Sequence, residues 1–232
     1  MIAKLIAMVM MGFTVLAGIA GYDSLKGSAE PSASTPAPQV DTGLPVSILA
    51  ATTGSTVYTI QPGSSKASST LEEVLFGRSN TVVGATRQVS GQIAVDPSAL
   101  SQAQVGSIQV DTASLVTDDN QRNRMIRQFV LSASQNPTIQ FTPRAISGLP
   151  DSMALGTAYP LQIDGQLTIK GVSQPASFAA TVTPVSASQL TGTATATINR
   201  SNWGLTIPQV PSVASVSNSV RLDLSFVATA VS

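Results

Sequence analysis

Val220, Leu222, Leu224 and Phe226 alternate with Arg221, Asp223 and Ser225 near the end of the chain. Period two is the repeat of an extended strand, so this spacing sends one apolar face inward and one polar face outward. Similar runs recur at residues 57–60, 89–95, 106–111, 138–142, 159–163, 166–170, 176–182 and 191–199. Gly, Pro, Asp or Asn bounds most of them. Short strands at such spacing predict an all-β fold, an antiparallel sandwich or barrel. Ser, Thr, Val and Ala dominate these segments, a mixture that favours strands over helices.

One stretch departs from that rhythm. Between Asp118 and Ser132 the apolar residues are Met125, Ile126, Phe129, Val130 and Leu131, whose spacing is helical. Asp118 with Gln121 three positions on resembles a capping box, and Pro137 closes the region. A single short helix against or across a sheet is the economical expectation.

The chain divides into three parts. Residues 1–22 hold an apolar run, LIAMVMMGFTVLAGIA, behind Lys4. Two readings stand side by side: a cleaved secretory signal, with Gly18 and Ala20 spaced for cleavage, or a retained membrane anchor. Both export the remainder of the chain to the periplasm, the outside, or a membrane surface. Residues 23–56 form a Ser/Pro/Ala-rich linker with too little to bury, read as a flexible tether. Within it residues 44–50 are more apolar and could lie against the domain. Residues 57–232 are long enough for one domain with a sizeable core.

The composition removes whole classes of chemistry. There is no cysteine and no histidine, which excludes Cys nucleophiles, His general bases, a Ser-His-Asp triad and zinc sites built on those residues. Only 10% of residues are charged and the net charge is zero, so nothing favours nucleic acid. Glu72 and Glu73 are adjacent and would point oppositely on a strand, which does not give the converging pair a glycosidase needs. Asp118 and Asp119 suit capping better than calcium. No enzyme, cofactor or metal is expected.

Three linked segments resemble a known family. They are SLVTDDNQRNRMIRQFVLSASQNPTIQF (114–141), GQLTIKGVSQPASF (165–178) and ATINRSNWGL (196–205), followed by the final alternating strand. In order and spacing they are similar to the YceI-like family, polyisoprenoid-binding proteins with a lipocalin-like barrel. The resemblance covers about residues 57–231. It implies one antiparallel β-barrel of about eight strands with an apolar tunnel, and an isoprenoid-like or other long amphiphilic lipid as partner. Asn123 stands where the family often has Asp, and Asn202–Trp203 replace the usual Asp–Phe.

A lipid tunnel needs aliphatic and aromatic lining. The candidates are Phe76, Met125, Ile126, Phe129, Phe141, Leu167, Trp203, Leu205 and Phe226, each of which could equally be core filling. Trp203 could close the tunnel or anchor packing. Small residues along one strand face, Ala194 and Ala196 with Ile198, and glycines 165, 171 and 192, would leave volume that a dense core does not tolerate. Arg122, Arg124 and Arg127 at the helix start suit either an anionic headgroup or a solvated face. Arg122 and Arg200 are the candidates for the headgroup or mouth. Arg200 would otherwise form an ion pair with Asp118, Asp119 or Asp164. The competing function is a stalked interaction module with a solid core. A homodimer is compatible with either.

Overall fold

The computed structural model describes Leu49 and residues 54–208 and 213–231. The apolar segment at 1–22, and the linker at 23–56 but for Leu49 and residues 54–56, lie outside the described residues. Leu49 rests on the domain, its amide donating to Gln92 Oε1 at 2.8 Å.

Thirteen strands make one antiparallel sheet. They are β1 (Thr56–Ile60), β2 (Lys66–Leu75), β3 (Arg78–Thr86), β4 (Val89–Ser90), β5 (Gln92–Val95), β6 (Gln104–Val105), β7 (Ile108–Asp111), β8 (Thr138–Ser147), β9 (Tyr159–Ile169), β10 (Val172–Ser186), β11 (Gln189–Asn199), β12 (Val213–Val216) and β13 (Ser219–Ala230). Helix α1 (Asn120–Met125) runs into a wider π turn at Ile126–Val130.

The sheet curls back on itself and closes. Its main path runs β4-β7-β8-β9-β10-β11-β13-β1-β5-β6. Strands β4 and β5 are separated only by Gly91. The first pairs with β7 and the second with β1, so one bent segment joins the two ends of the path. The Ile60 amide bonds the Gly91 carbonyl at 2.9 Å. A Cβ on Gly91 would lie 2.5 Å from Ile108 Cδ1 and 3.3 Å from Ile60 Cδ1. Only glycine fits at this seam without displacing those side chains.

Closure happens in two tiers, because β13 pairs differently along its length. One edge meets β11 throughout, from Asn199↔Ser219 to Gln189↔Thr229. On the other edge Arg221–Ser225 pair with β2, and Ala228–Ala230 pair with β1. The lower wall therefore closes through β1 and β4/β5. The upper wall continues through the β2–β3 hairpin to an isolated bridge, Ala85↔Val116. The alternation predicts an antiparallel sandwich or barrel, and the resemblance implies the barrel of about eight strands with one short helix.

Several details differ from the sequence reading. The runs at 159–163 and 166–170 merge into one strand, β9, which passes through Gly165 and ends at Ile169, leaving Lys170 in the turn. The helix cap is Asp119, whose carboxylate accepts from Arg122 N at 2.7 Å, and not Asp118. Strands β2 and β3 carry no clean alternation in the sequence. Gly165 and Gly192 do not leave empty space. A Cβ at Gly165 would strike the Thr142 carbonyl and the Phe141 ring, and one at Gly192 would lie 2.5 Å from the Thr181 carbonyl and 2.7 Å from the Phe226 ring. Each glycine is the seat of a phenylalanine on the neighbouring strand.

Gly192→Ala forces the new methyl into a backbone oxygen that cannot move aside. It is expected to lower stability by about 2 kcal/mol, within the range for overpacked cores. A lower urea midpoint at unchanged slope is the check.

Candidate lipid-binding chambers

The barrel interior is not filled. The lower tier surrounds a partly open apolar void of about 200 Å³. Its walls include Ile60, Ile93, Val95, Leu100, Val105, Phe141, Ile163, Leu167, Leu190, Ala194, Leu224 and Phe226. None of its lining residues is exposed. Leu149, Pro150 and Met153, from the loop between β8 and β9, also line it. Ala180 and Ala194 sit opposite each other on β10 and β11, and both face this void. The small-residue face expected at Ala194, Ala196 and Ile198 is therefore real. All three are buried, and the first borders the space.

Above it lies a second chamber of about 460 Å³. Ser69, Leu115, Ile139 and Leu222 border both chambers, so the two adjoin. The upper one is walled by β2 and β3 on one side and by Met125, Ile126, Val130 and Leu131 on the other. Exposed Val116, Asp119 and Gln121 place its mouth beside the start of α1.

The polar groups at that mouth are committed to one another. Glu73 is 7% exposed, and its Oε1 accepts from Asn80 Nδ2 at 2.9 Å and Arg122 Nη2 at 3.1 Å. Arg122 also reaches Asp118 at 2.6 Å. Arg200 forms no ion pair with Asp118, Asp119 or Asp164. Its guanidinium clasps backbone carbonyls instead: Leu205 at 2.7 Å, Ser217 at 3.0 Å and Val216 at 3.4 Å. A planar fork of donors suits this role, because it gathers carbonyls from the end of β12 and from the turn after β11 onto one side chain. Asn123, at the position where the family often has Asp, is buried. Its Oδ1 accepts from the Thr117 amide at 2.6 Å and hydroxyl at 2.8 Å.

The sequence candidates are thus sorted by the fold. Phe141, Leu167 and Phe226 line the lower chamber, and Met125, Ile126 and Leu205 the upper. Arg122 and Arg200 border the upper one. Three candidates do not line either space. Phe76 is 80% exposed at the tip of the β2–β3 hairpin, where a two-residue turn faces solvent. Phe129 is 53% exposed on the outer side of the π turn. Trp203 is buried behind the wall as a packing anchor, its Nε1 donating to the Leu167 carbonyl at 2.9 Å. Sequence reasoning passed over Ser69, Leu71, Glu73 and Leu75, the inward row of β2, because two of the four are polar. It also passed over Leu149, Pro150 and Met153, whose only signal is an apolar cluster inside a Gly- and Asp-containing loop.

Comparison with known proteins agrees with this architecture. The YceI-like domain model matches residues 58–228. The chain belongs to the YceI-like family. BcnA of Burkholderia cenocepacia is similar in structure at 22% identity and a TM-score of 0.57, covering 73% of this chain and 99% of that one. A polyisoprenoid-binding domain from Saccharophagus degradans, implicated in plant cell wall breakdown, is 14% identical with a TM-score of 0.60, covering 75% and 98%. A Campylobacter jejuni YceI protein is 20% identical with a TM-score of 0.51, covering 64% and 84%. No curated protein sequence matches. At these identities the structural likeness establishes the shared fold.

Arg200→Ala removes the clasp on the 205–217 segment, and hydrogen bonds from a charged donor are worth about 1.5–3 kcal/mol each. A loss of about 3 kcal/mol is expected. Faster hydrogen exchange at the Ser217 amide, which bonds the Glu72 carbonyl at 2.8 Å, locates the effect.

Proposed function

We propose that this protein is an exported lipid carrier or reservoir at the cell envelope, holding one long apolar molecule in the two adjoining chambers. The observation that supports the reading is the lower void. Apolar cavities cost about 24 cal/mol per Å³ when left empty. A void of about 200 Å³ lined almost wholly by apolar side chains leaves those side chains without contact partners. Such a space stays dry, since its walls offer water almost no partner. A hydrocarbon chain recovers the lost contacts, at about 0.8 kcal/mol for each methylene buried. A stalked module with a solid core has no use for this volume.

The ligand's head is uncharged in this reading. Arg122 is neutralised by Glu73 and Asp118, and Arg200 is spent on three carbonyls. Neither cation is free to receive a phosphate. A hydroxyl, carbonyl or ring head could share the rim of Thr117, Asp119 and Gln121 without displacing an ion pair. The site is one of binding, and catalysis has no role in it. The buried carboxylate at its mouth, Glu73, is already bonded to Asn80 and Arg122. The polyisoprenoid-binding relative points to an isoprenoid chain as the apolar part. Export rests on the apolar run behind Lys4.

Solvent extraction and mass spectrometry of the purified protein should yield one long-chain lipid per barrel; protein that is repeatedly empty would sink the proposal. Ala194→Phe places a ring in the lower chamber and should abolish lipid recovery while leaving the fold intact by circular dichroism. A long-chain prenol should bind at least tenfold more tightly than the same chain carrying a diphosphate, as measured by competition against a fluorescent fatty alcohol.

A further inference from the structure

The outer face of the seam at Gly91 is buried where a barrel wall ordinarily meets water. Ile93 and Val95 line the lower chamber, so Gln92 and Ala94 point outward. Ile108 and Val110 line it too, which turns Gln109 outward together with Ser90, its cross-strand partner. Outward residues elsewhere on the wall, such as Gln162, Asp164 and Ser177, are exposed. Ser90, Ala94 and Gln109 are instead 5%, 5% and 7% exposed. Ser90 Oγ and Gln109 Oε1 are also buried without a hydrogen-bond partner. Buried polar atoms are normally satisfied, so two neighbouring exceptions mark a face that lacks its partner.

Leu49 sits on this same face. Its amide donates to Gln92 Oε1 at 2.8 Å. Its Cγ lies 3.3 Å from where a Cβ on Gly106 would stand, so the missing side chain at Gly106 is the leucine's seat. Gly106 belongs to the seam as well, its amide donating to the Gln92 carbonyl at 2.8 Å. Farther along the chain, a Cβ on Gly54 would lie 3.0 Å from Asp96 Oδ2, and Thr56 pairs with Val95. Between Leu49 and Gly54 the chain therefore travels from beside Gln92 to beside Asp96, in the direction of β5. Carried backward from Leu49, two residues of extended chain cover about 7 Å, the step from Gln92 to Ser90. That register brings Ser47 over Ser90 and its neighbour Gln109.

We infer that residues 44–50, LPVSILA, dock as a strap on the outer face of this seam, with Leu49 seated on Gly106 and the Ser47 hydroxyl bonded to Ser90 and Gln109. A serine hydroxyl both donates and accepts, so it gives its proton to Gln109 Oε1 and takes one from Ser90 Oγ. Leu44, Val46, Ile48 and Leu49 make this the most apolar stretch of the 23–56 linker, a composition that a tether with nothing to bury does not need. Attachment to the barrel at Thr56 makes the docking intramolecular, which keeps the effective concentration of the strap high. The free tether then ends near Gly43 instead of running on to β1. The strap crosses outside Gly91, where one bent segment joins the two ends of the sheet, and so fastens the closure. It requires neither export nor an occupied barrel.

Hydrogen–deuterium exchange of the full chain, read by mass spectrometry of its peptides, compares residues 44–50 with residues 28–38. After correction for intrinsic rates, the amides of 44–50 should exchange at least about tenfold more slowly, the mark of a segment held down. Leu49→Asp puts a carboxylate on the Gly106 seat and should bring the two segments to one rate. Peptides from β9 to β11 should keep their protection in that variant, which shows the barrel intact. Ser47→Ala should speed exchange in 44–50 about fivefold, the usual worth of a neutral hydrogen bond. Equal rates for the two segments in the unaltered chain overturn the proposal, and so does protection that Leu49→Asp leaves in place. Unchanged rates in Ser47→Ala overturn the register over Ser90. Protection that grows with protein concentration assigns the seat to a second copy and overturns the intrachain strap.

Discussion

Strand β13 is the spine of the structure, since its backbone is bonded along both edges and each tier of the wall is hung from it. Its partner on one side is β11 over eleven register pairs. On the other it changes from β2 to β1 between Ser225 and Ala228. That change splits the barrel into an upper and a lower tier, and each tier surrounds a chamber. The alternation of Leu222, Leu224 and Phe226 turns apolar side chains inward at both levels. A one-residue slip would send that whole row to solvent, so the register of this strand fixes what both chambers can hold.

The interior combines dense packing with deliberate space. Phenylalanine rings lie over glycines at Gly165 and Gly192, which makes the wall solid where strands bend past each other. Alanines at 180 and 194 leave room where the wall faces the lower void. Protein cores otherwise reach the density of organic crystals. An apolar space inside such a wall is therefore a property of the sequence chosen.

The polar residues serve architecture more than ligand chemistry. Arg200 ties an irregular segment to the barrel, Asn123 fixes the approach to the helix, and Glu73 with Arg122 joins the β2 wall to α1.

The sequence by itself determined the all-β class, most strand positions, the short helix after Asp119 and the removal of His- and Cys-based chemistry. Those features arise from side-chain period and composition, which are local. It also contained the family resemblance, carried by the segments at 114–141, 165–178 and 196–205. Strands β2 and β3 were not legible, because Ser69 and Glu73 face inward and break the apolar alternation. The partner of Arg200 was not legible either, since carbonyls are present at every residue and only chain path brings three of them to one guanidinium. Tertiary structure alone decided which aromatics line the chambers: Phe141 and Phe226 turn inward over glycines, while Phe76 and Phe129, equally apolar, stand outside. Hydrophobicity says that a side chain gains from burial. Whether a neighbour is there to bury it depends on where the sheet closes.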